Sequence, residues 1–136
     1  MVLQDVIQRR APVRSVPIRR GLELLFVAGV SLALWFALIM QPPTIRFAAL
    51  PFRSDHVMHA ATFLALTFLG AWLWAPIVLF AGAMIAAGGL LEIAQGPVGR
   101  DMSMGDWFAS SVGVVIGALV FAATLAMIAS VRRMRS

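Results

Sequence analysis

The chain has 136 residues, 61% hydrophobic and only 12% charged, a balance that excludes a small soluble domain, whose high surface-to-volume ratio would leave too much apolar surface in water. Its formal net charge of +5 comes from arginine without lysine. With no soluble basic module to carry it, that charge excludes a nucleic-acid partner and points to membrane topology.

The absence of cysteine rules out disulfide and thiol chemistry. Four apolar stretches follow in chain order, at about 22–40, 57–74, 76–94 and 107–128. Each approaches the roughly 20 residues that a helix needs to cross the hydrocarbon core. Lipid cannot satisfy backbone hydrogen bonds, so helices are required. The expected fold is therefore an all-α membrane protein with four transmembrane helices in one domain, 22–131. A basic tail, 1–21, precedes it and a short basic tail, 132–136, follows.

The first stretch is closed by Gln41-Pro42-Pro43. A cleaved signal peptide is its competing reading. The apolar run is longer than a usual signal core, and no small-x-small site follows Met40, so the stretch is expected to stay as a helix. The second and third stretches are nearly continuous, and Pro76 breaks them into a tight helical hairpin. Trp72 and Trp74 fit an interfacial belt at that turn. The fourth stretch carries Gly113-Val-Val-Ile-Gly117, a GxxxG that allows close helix approach; packing within the fold is preferred over homodimerisation.

Eight arginines lie in the two tails and three, Arg46, Arg53 and Arg100, in the loops between stretches one and two or three and four. The positive-inside bias then makes both termini cytoplasmic. Glu23, beside Arg19 and Arg20, belongs to that inner boundary.

This topology gathers the polar residues at the outer helix ends. Asp55 and His59 are four apart on one face of the second helix. Glu92 and Gln95 are three apart at the end of the third. Arg100 and Ser103 lie in the following loop, and Asp106 starts the fourth helix. Glu92 falls about 3 Å inside the end of its stretch by helical rise, where a carboxylate is costly unless paired or wet. It reads either as an acid/base group or as a structural partner of Arg100. Asp55 and Asp106 also suit helix N-termini as dipole partners, and Ser103-Met104-Gly105-Asp106 is a candidate capping box. His59 is a candidate proton shuttle or metal ligand. Asp55, His59, Glu92 and Asp106 offer oxygen and nitrogen donors, but with no tight ligand motif no metal or other cofactor is expected. Arg100 is placed to clamp a carboxylate or phosphate. His56 reads as an interfacial residue.

These residues resemble the VanZ-like family of integral membrane proteins, named for a teicoplanin-resistance protein. The family pattern runs from an Asp with His four residues on, through E-x-x-Q and an Arg, to D-x-x-x-N-x-x-G-x-x-x-G. Here Asp55 and His59, Glu92 and Gln95, Arg100, Asp106, Gly113 and Gly117 follow it in order, over about 54–117. The chain departs from it at His56, where the family often has Lys, and at Ser110, where it usually has Asn. The resemblance implies a multi-pass protein of the bacterial cytoplasmic (inner) membrane, in the cell envelope, with a link to cell-surface maintenance or glycopeptide resistance.

Together these features predict a ligand-binding cluster of Asp55, His59, Glu92, Gln95, Arg100 and Asp106 on the extracytoplasmic side. Its ligand is a lipid-linked or cell-wall molecule, and Glu92, Asp106 and His59 are the candidates for any proton transfer. The alternative is a non-enzymatic accessory or scaffold subunit, with a membrane protein partner or a second copy of the chain. Proton-coupled transport would need polar groups through the membrane depth, and the inner halves of the stretches are apolar.

Overall fold

A computed structural model describes residues 15–40, 45, 53–74, 76–99 and 102–135. The N-terminal arginines Arg9, Arg10 and Arg14, most of the first loop with Arg46, and Arg100 lie outside the described residues. Among the described residues the chain forms four α-helices: α1 (Val16–Leu38), α2 (Ser54–Ala71), α3 (Ile77–Gln95) and α4 (Met104–Met134). A short 3-10 turn, Gly96–Val98, follows α3.

Helix α1 begins at Val16 rather than Leu22. Ser15 precedes it in extended conformation, and Pro17 sits in its first turn, where a missing N–H costs nothing. Arg19 Nε then donates to Glu23 Oε1 at 2.8 Å, an i,i+4 pair that favours helix in the basic segment. The apolar run marks only the part of this helix suited to lipid. Helix α4 likewise overruns its apolar stretch at both ends. It starts on the Ser103 cap and ends with Arg132 and Arg133 in its last turn, where positive charge meets the negative end of the helix dipole. Its 31 residues span about 45 Å, more than the hydrocarbon core.

The α2–α3 hairpin forms where the break at Pro76 predicts it. The N–H groups of Leu73 and Trp74 both donate to Gly70 O at 2.9 Å, closing the turn before Pro76 caps α3. A Cβ at Gly70 would collide with the Phe80 ring, so glycine lets α3 return against α2. Trp74 stacks on Phe80 at 5.6 Å and meets Phe26 of α1 edge-on at 4.8 Å. Trp72 packs edge-on against Phe121 of α4 at 5.2 Å. Both tryptophans therefore close the hairpin end of the core as well as decorating it.

Helices α1, α3 with its 3-10 turn, and α4 are long and apolar enough to cross a membrane. Helix α2 is not among them: within its 18 residues it carries Asp55, His56 and His59 near its start. It is instead the most enclosed helix, packed along α4 more extensively than any other pair. Phe63, Leu66, Met84 and Val114 form the central core, and Ala71, Ile77 and Phe121 a second cluster toward the hairpin. Helix α1 buries none of its residues and presents Leu24, Leu25, Val27 and Leu32 outward. Apolar surface of that extent suits a lipid solvent.

Backbone contact fixes the α2–α4 pair. Gly113 lies directly against the Ala60 carbonyl, and a Cβ there would collide with it. A Cβ at Gly117 would stand 2.6 Å from Leu64 O. Without a hydrophobic effect between helices in lipid, such close packing is the main source of association. Gly113→Ala should therefore destabilise the protein in detergent by about 1–3 kcal/mol, read as a fall in the thermal midpoint. Gly82→Ala, whose Cβ would meet open space, should leave the midpoint unchanged or raise it. Equal losses at the two positions would contradict this packing.

Candidate functional site

The site begins at the α2 N-terminus. Arg53, extended, precedes the helix, and its guanidinium grips Asp55 through two hydrogen bonds. Arg53 Nε donates to Oδ1 at 3.1 Å and the terminal NH2 donates to Oδ2. That hydrogen bond and the carboxylate charge raise the Arg53 pKa above its ordinary value. Asp55 Oδ1 also accepts the His56 N–H at 3.0 Å. Arg53 reaches further, to 3.7 Å from Asp106 Oδ2, and so bridges α2 to α4. In the sequence alone Arg53 is only a loop charge. Its spacing two residues before Asp55 at a helix start was the available signal.

At the α4 N-terminus, Ser103 Oγ accepts the Asp106 N–H at 3.2 Å, the first half of a capping box. The reciprocal half comes from elsewhere. The Ser103 N–H donates to Glu92 Oε2 at 3.0 Å, so a carboxylate from α3 completes the cap of α4. Asp106 is thereby released from capping duty and turns inward, 5% exposed. Its Oδ1 lies 3.4 Å from His56 Nε2 and accepts no hydrogen bond. His56 is thus a member of the cluster, not just an interfacial residue. Gly105 makes room for it: a Cβ there would fall 2.9 Å from His56 Nε2.

One turn further along α2, His59 Nδ1 lies 3.1 Å from Ser110 Oγ and 3.9 Å from Glu92 Oε1. Glu92 is 6% exposed and Ser110 1%. Glu92 thus faces His59 with one oxygen and holds the α4 cap with the other. Two sets of donor atoms, Asp55–His56–Asp106 and His59–Glu92–Asp106, each lie within 4.8 Å of one another, with Asp106 common to both.

Of the residues expected in the cluster, Asp55, His59, Glu92 and Asp106 come together, and Arg100 lies outside the described residues. Gln95 is buried on the same end of α3, but its Nε2 donates to Ala37 O at 3.2 Å, tying α3 to α1. His59 also borders an apolar groove of about 380 Å³ between α1 and α2, lined by Gly29, Leu32, Phe36, Thr62 and Leu66 among others. The groove therefore opens from the polar cluster along the helices.

No family model, curated protein or solved structure matches the chain.

Chemically, the arrangement offers two buried carboxylates, two imidazoles and an arginine at one end of the bundle. Such a set can hold a cation, share a proton between Glu92 and His59, or meet an anionic group through Arg53.

Proposed function

We propose that the chain is a VanZ-like, four-span protein of the bacterial cytoplasmic membrane, with both termini cytoplasmic. In this reading the acid/His/Arg cluster faces outward and binds a lipid-linked or cell-wall molecule in cell-surface maintenance or glycopeptide resistance. The observation that carries it is the burial of Glu92 and Asp106 beside His59, gathered from three helices at one end of an otherwise apolar bundle. Ionisable groups at membrane depth are expensive, and function is the usual reason for their retention. Arg53, whose side chain is 36% exposed, would meet an anionic head group at the rim. The groove beside His59 would receive an apolar chain of the same ligand.

The orientation rests on the arginine-rich tails. Helix α2, the least apolar of the four, crosses in this reading within the shelter of its neighbours. The chain has no native cysteine, so single-cysteine labelling is clean. Met102→Cys and Met134→Cys, at positions 64% and 79% exposed, should behave oppositely. The first should react with an impermeant maleimide on intact spheroplasts, the second only after permeabilisation. Labelling of both from one side would contradict the crossing of α4.

A scaffold reading has its own support. The Ser103–Glu92, Gln95–Ala37 and His59–Ser110 bonds all tie one helix to another and would hold a bundle together without any ligand. Glu92→Gln separates the two readings, because glutamine keeps an acceptor for the Ser103 N–H but loses the charge. The ligand-site reading predicts a wild-type amount of folded protein and loss of the envelope phenotype, measured as glycopeptide susceptibility. An unchanged phenotype with folded protein would overturn it. A clear fall in thermal midpoint would favour the scaffold.

A further inference from the structure

We infer that His59, Glu92 and Asp106 form a divalent-metal site, with Zn²⁺ the ion that its donors suit best. Three helices supply one ligand each: His59 from the second turn of α2, Glu92 from the last turn of α3 and Asp106 from the first turn of α4. His59 Nδ1 and Glu92 Oε1 are 3.9 Å apart, and the three donors lie within 4.8 Å of one another. Zinc–ligand bonds of about 2.0–2.1 Å in a tetrahedron place donor atoms roughly 3.3 Å apart. A contraction of up to about 1.5 Å between donors closes the site.

Asp106 Oδ1 is an independent pointer. It is fully enclosed, on a residue 5% exposed, and accepts no hydrogen bond. An enclosed carboxylate oxygen with only His56 Nε2 beside it, at 3.4 Å and out of hydrogen-bonding geometry, is costly, and a cation satisfies it. The surroundings match how metal ligands are held. The Ser103 N–H fixes Glu92 through Oε2, leaving Oε1 on the side of His59. Ligating carboxylates are usually oriented by such an outer hydrogen bond. Two carboxylates balance the charge of the ion. Three protein ligands leave a fourth position for water or for an oxygen of a bound molecule. Ser110 Oγ, 3.1 Å from His59 Nδ1, borders that position, and His56 Nε2 stands 3.4 Å from Asp106 Oδ1.

The neighbouring set, Asp55–His56–Asp106, is the weaker candidate. Both Asp55 oxygens are taken by the Arg53 guanidinium, whose positive charge opposes a cation there. Arg53 also approaches Asp106, through Oδ2 at 3.7 Å, while Oδ1 lies 3.4 Å from His56 Nε2.

This inference rests on reading the cluster as a ligand site, and the following experiment separates the two. Full-length protein in detergent, stripped with a chelator, is titrated with Zn²⁺ against a chromophoric competitor. The expected result is saturable binding of one ion per chain. His59→Ala and Asp106→Asn should each weaken it by at least about 100-fold, while Ser130→Ala, near the other end of α4, should leave it within a few-fold. Circular dichroism checks each variant, and Glu92→Gln replaces any that loses helix. Zn²⁺ should also raise the thermal midpoint of the unaltered protein, a readout that needs no variant. No saturable binding, or undiminished binding by folded His59→Ala, would overturn the proposal. So would loss of binding in His56→Ala but not in His59→Ala. If zinc binds while Glu92→Gln leaves the envelope phenotype intact, the metal site stands and the ligand reading falls. If no zinc binds while Glu92→Gln abolishes the phenotype, the reverse holds.

Discussion

The contact of Gly113 with the Ala60 carbonyl sets the geometry of everything at the polar end of the bundle. Once α4 touches α2 there, helical periodicity leaves little freedom. Asp106, Ser110, Gly113 and Gly117 fall on one face of α4 at spacings of four, three and four, and all four are buried. His56, His59, Ala60, Phe63 and Thr67 form the facing stripe of α2. The register that seats Gly113 on Ala60 also brings Ser110 to His59 and Asp106 to His56. Small residues in the middle of the interface thus position the polar residues at its end.

The polar groups in turn decide how the other helices attach. Helix α3 joins through Glu92, which caps α4 by way of Ser103, and through the Trp107 indole N–H, which donates to Ile85 O at 3.1 Å. Helix α1 is held more lightly. Its links include the aromatic contacts of Phe26, the packing of Val30 and Ala33 on the central core and the Gln95–Ala37 hydrogen bond, and it buries no residue. A hydrogen bond in an apolar surround has no water competing for it, so a few such bonds matter more than on a wet surface. The groove lies between α1 and α2, and His59 is part of both its lining and the cluster.

Much of this was legible in the sequence. The four apolar stretches locate the helices, Pro76 marks the hairpin, and Ser103 to Asp106 marks the α4 cap. Asp55 and His59, four apart, had to share a face. What escaped was written in polar residues or across elements. The start of α1 at Val16 depends on Pro17 and an ion pair, not on hydropathy. The partner of Ser103 is Glu92, eleven residues away, because a capping box seen in one segment says nothing of a carboxylate arriving from another. Gln95 shares a helix face with Glu92 by spacing, yet its amide reaches Ala37 of α1, a neighbour no local pattern names. His59, Glu92 and Asp106 were legible singly as oxygen and nitrogen donors, but their grouping crosses three helices and no motif within one segment marks it.

A double-mutant cycle between His59→Ala and Ser110→Ala tests the α2–α4 register most directly, since the two side chains are 51 residues apart and meet only if the helices pack as described. Thermal or denaturant unfolding in detergent supplies the four free energies. The predicted coupling is about 0.5–3 kcal/mol, the range for residues in direct contact. Additivity of the two substitutions, to within about 0.3 kcal/mol, would contradict the register and with it the assembly of the cluster.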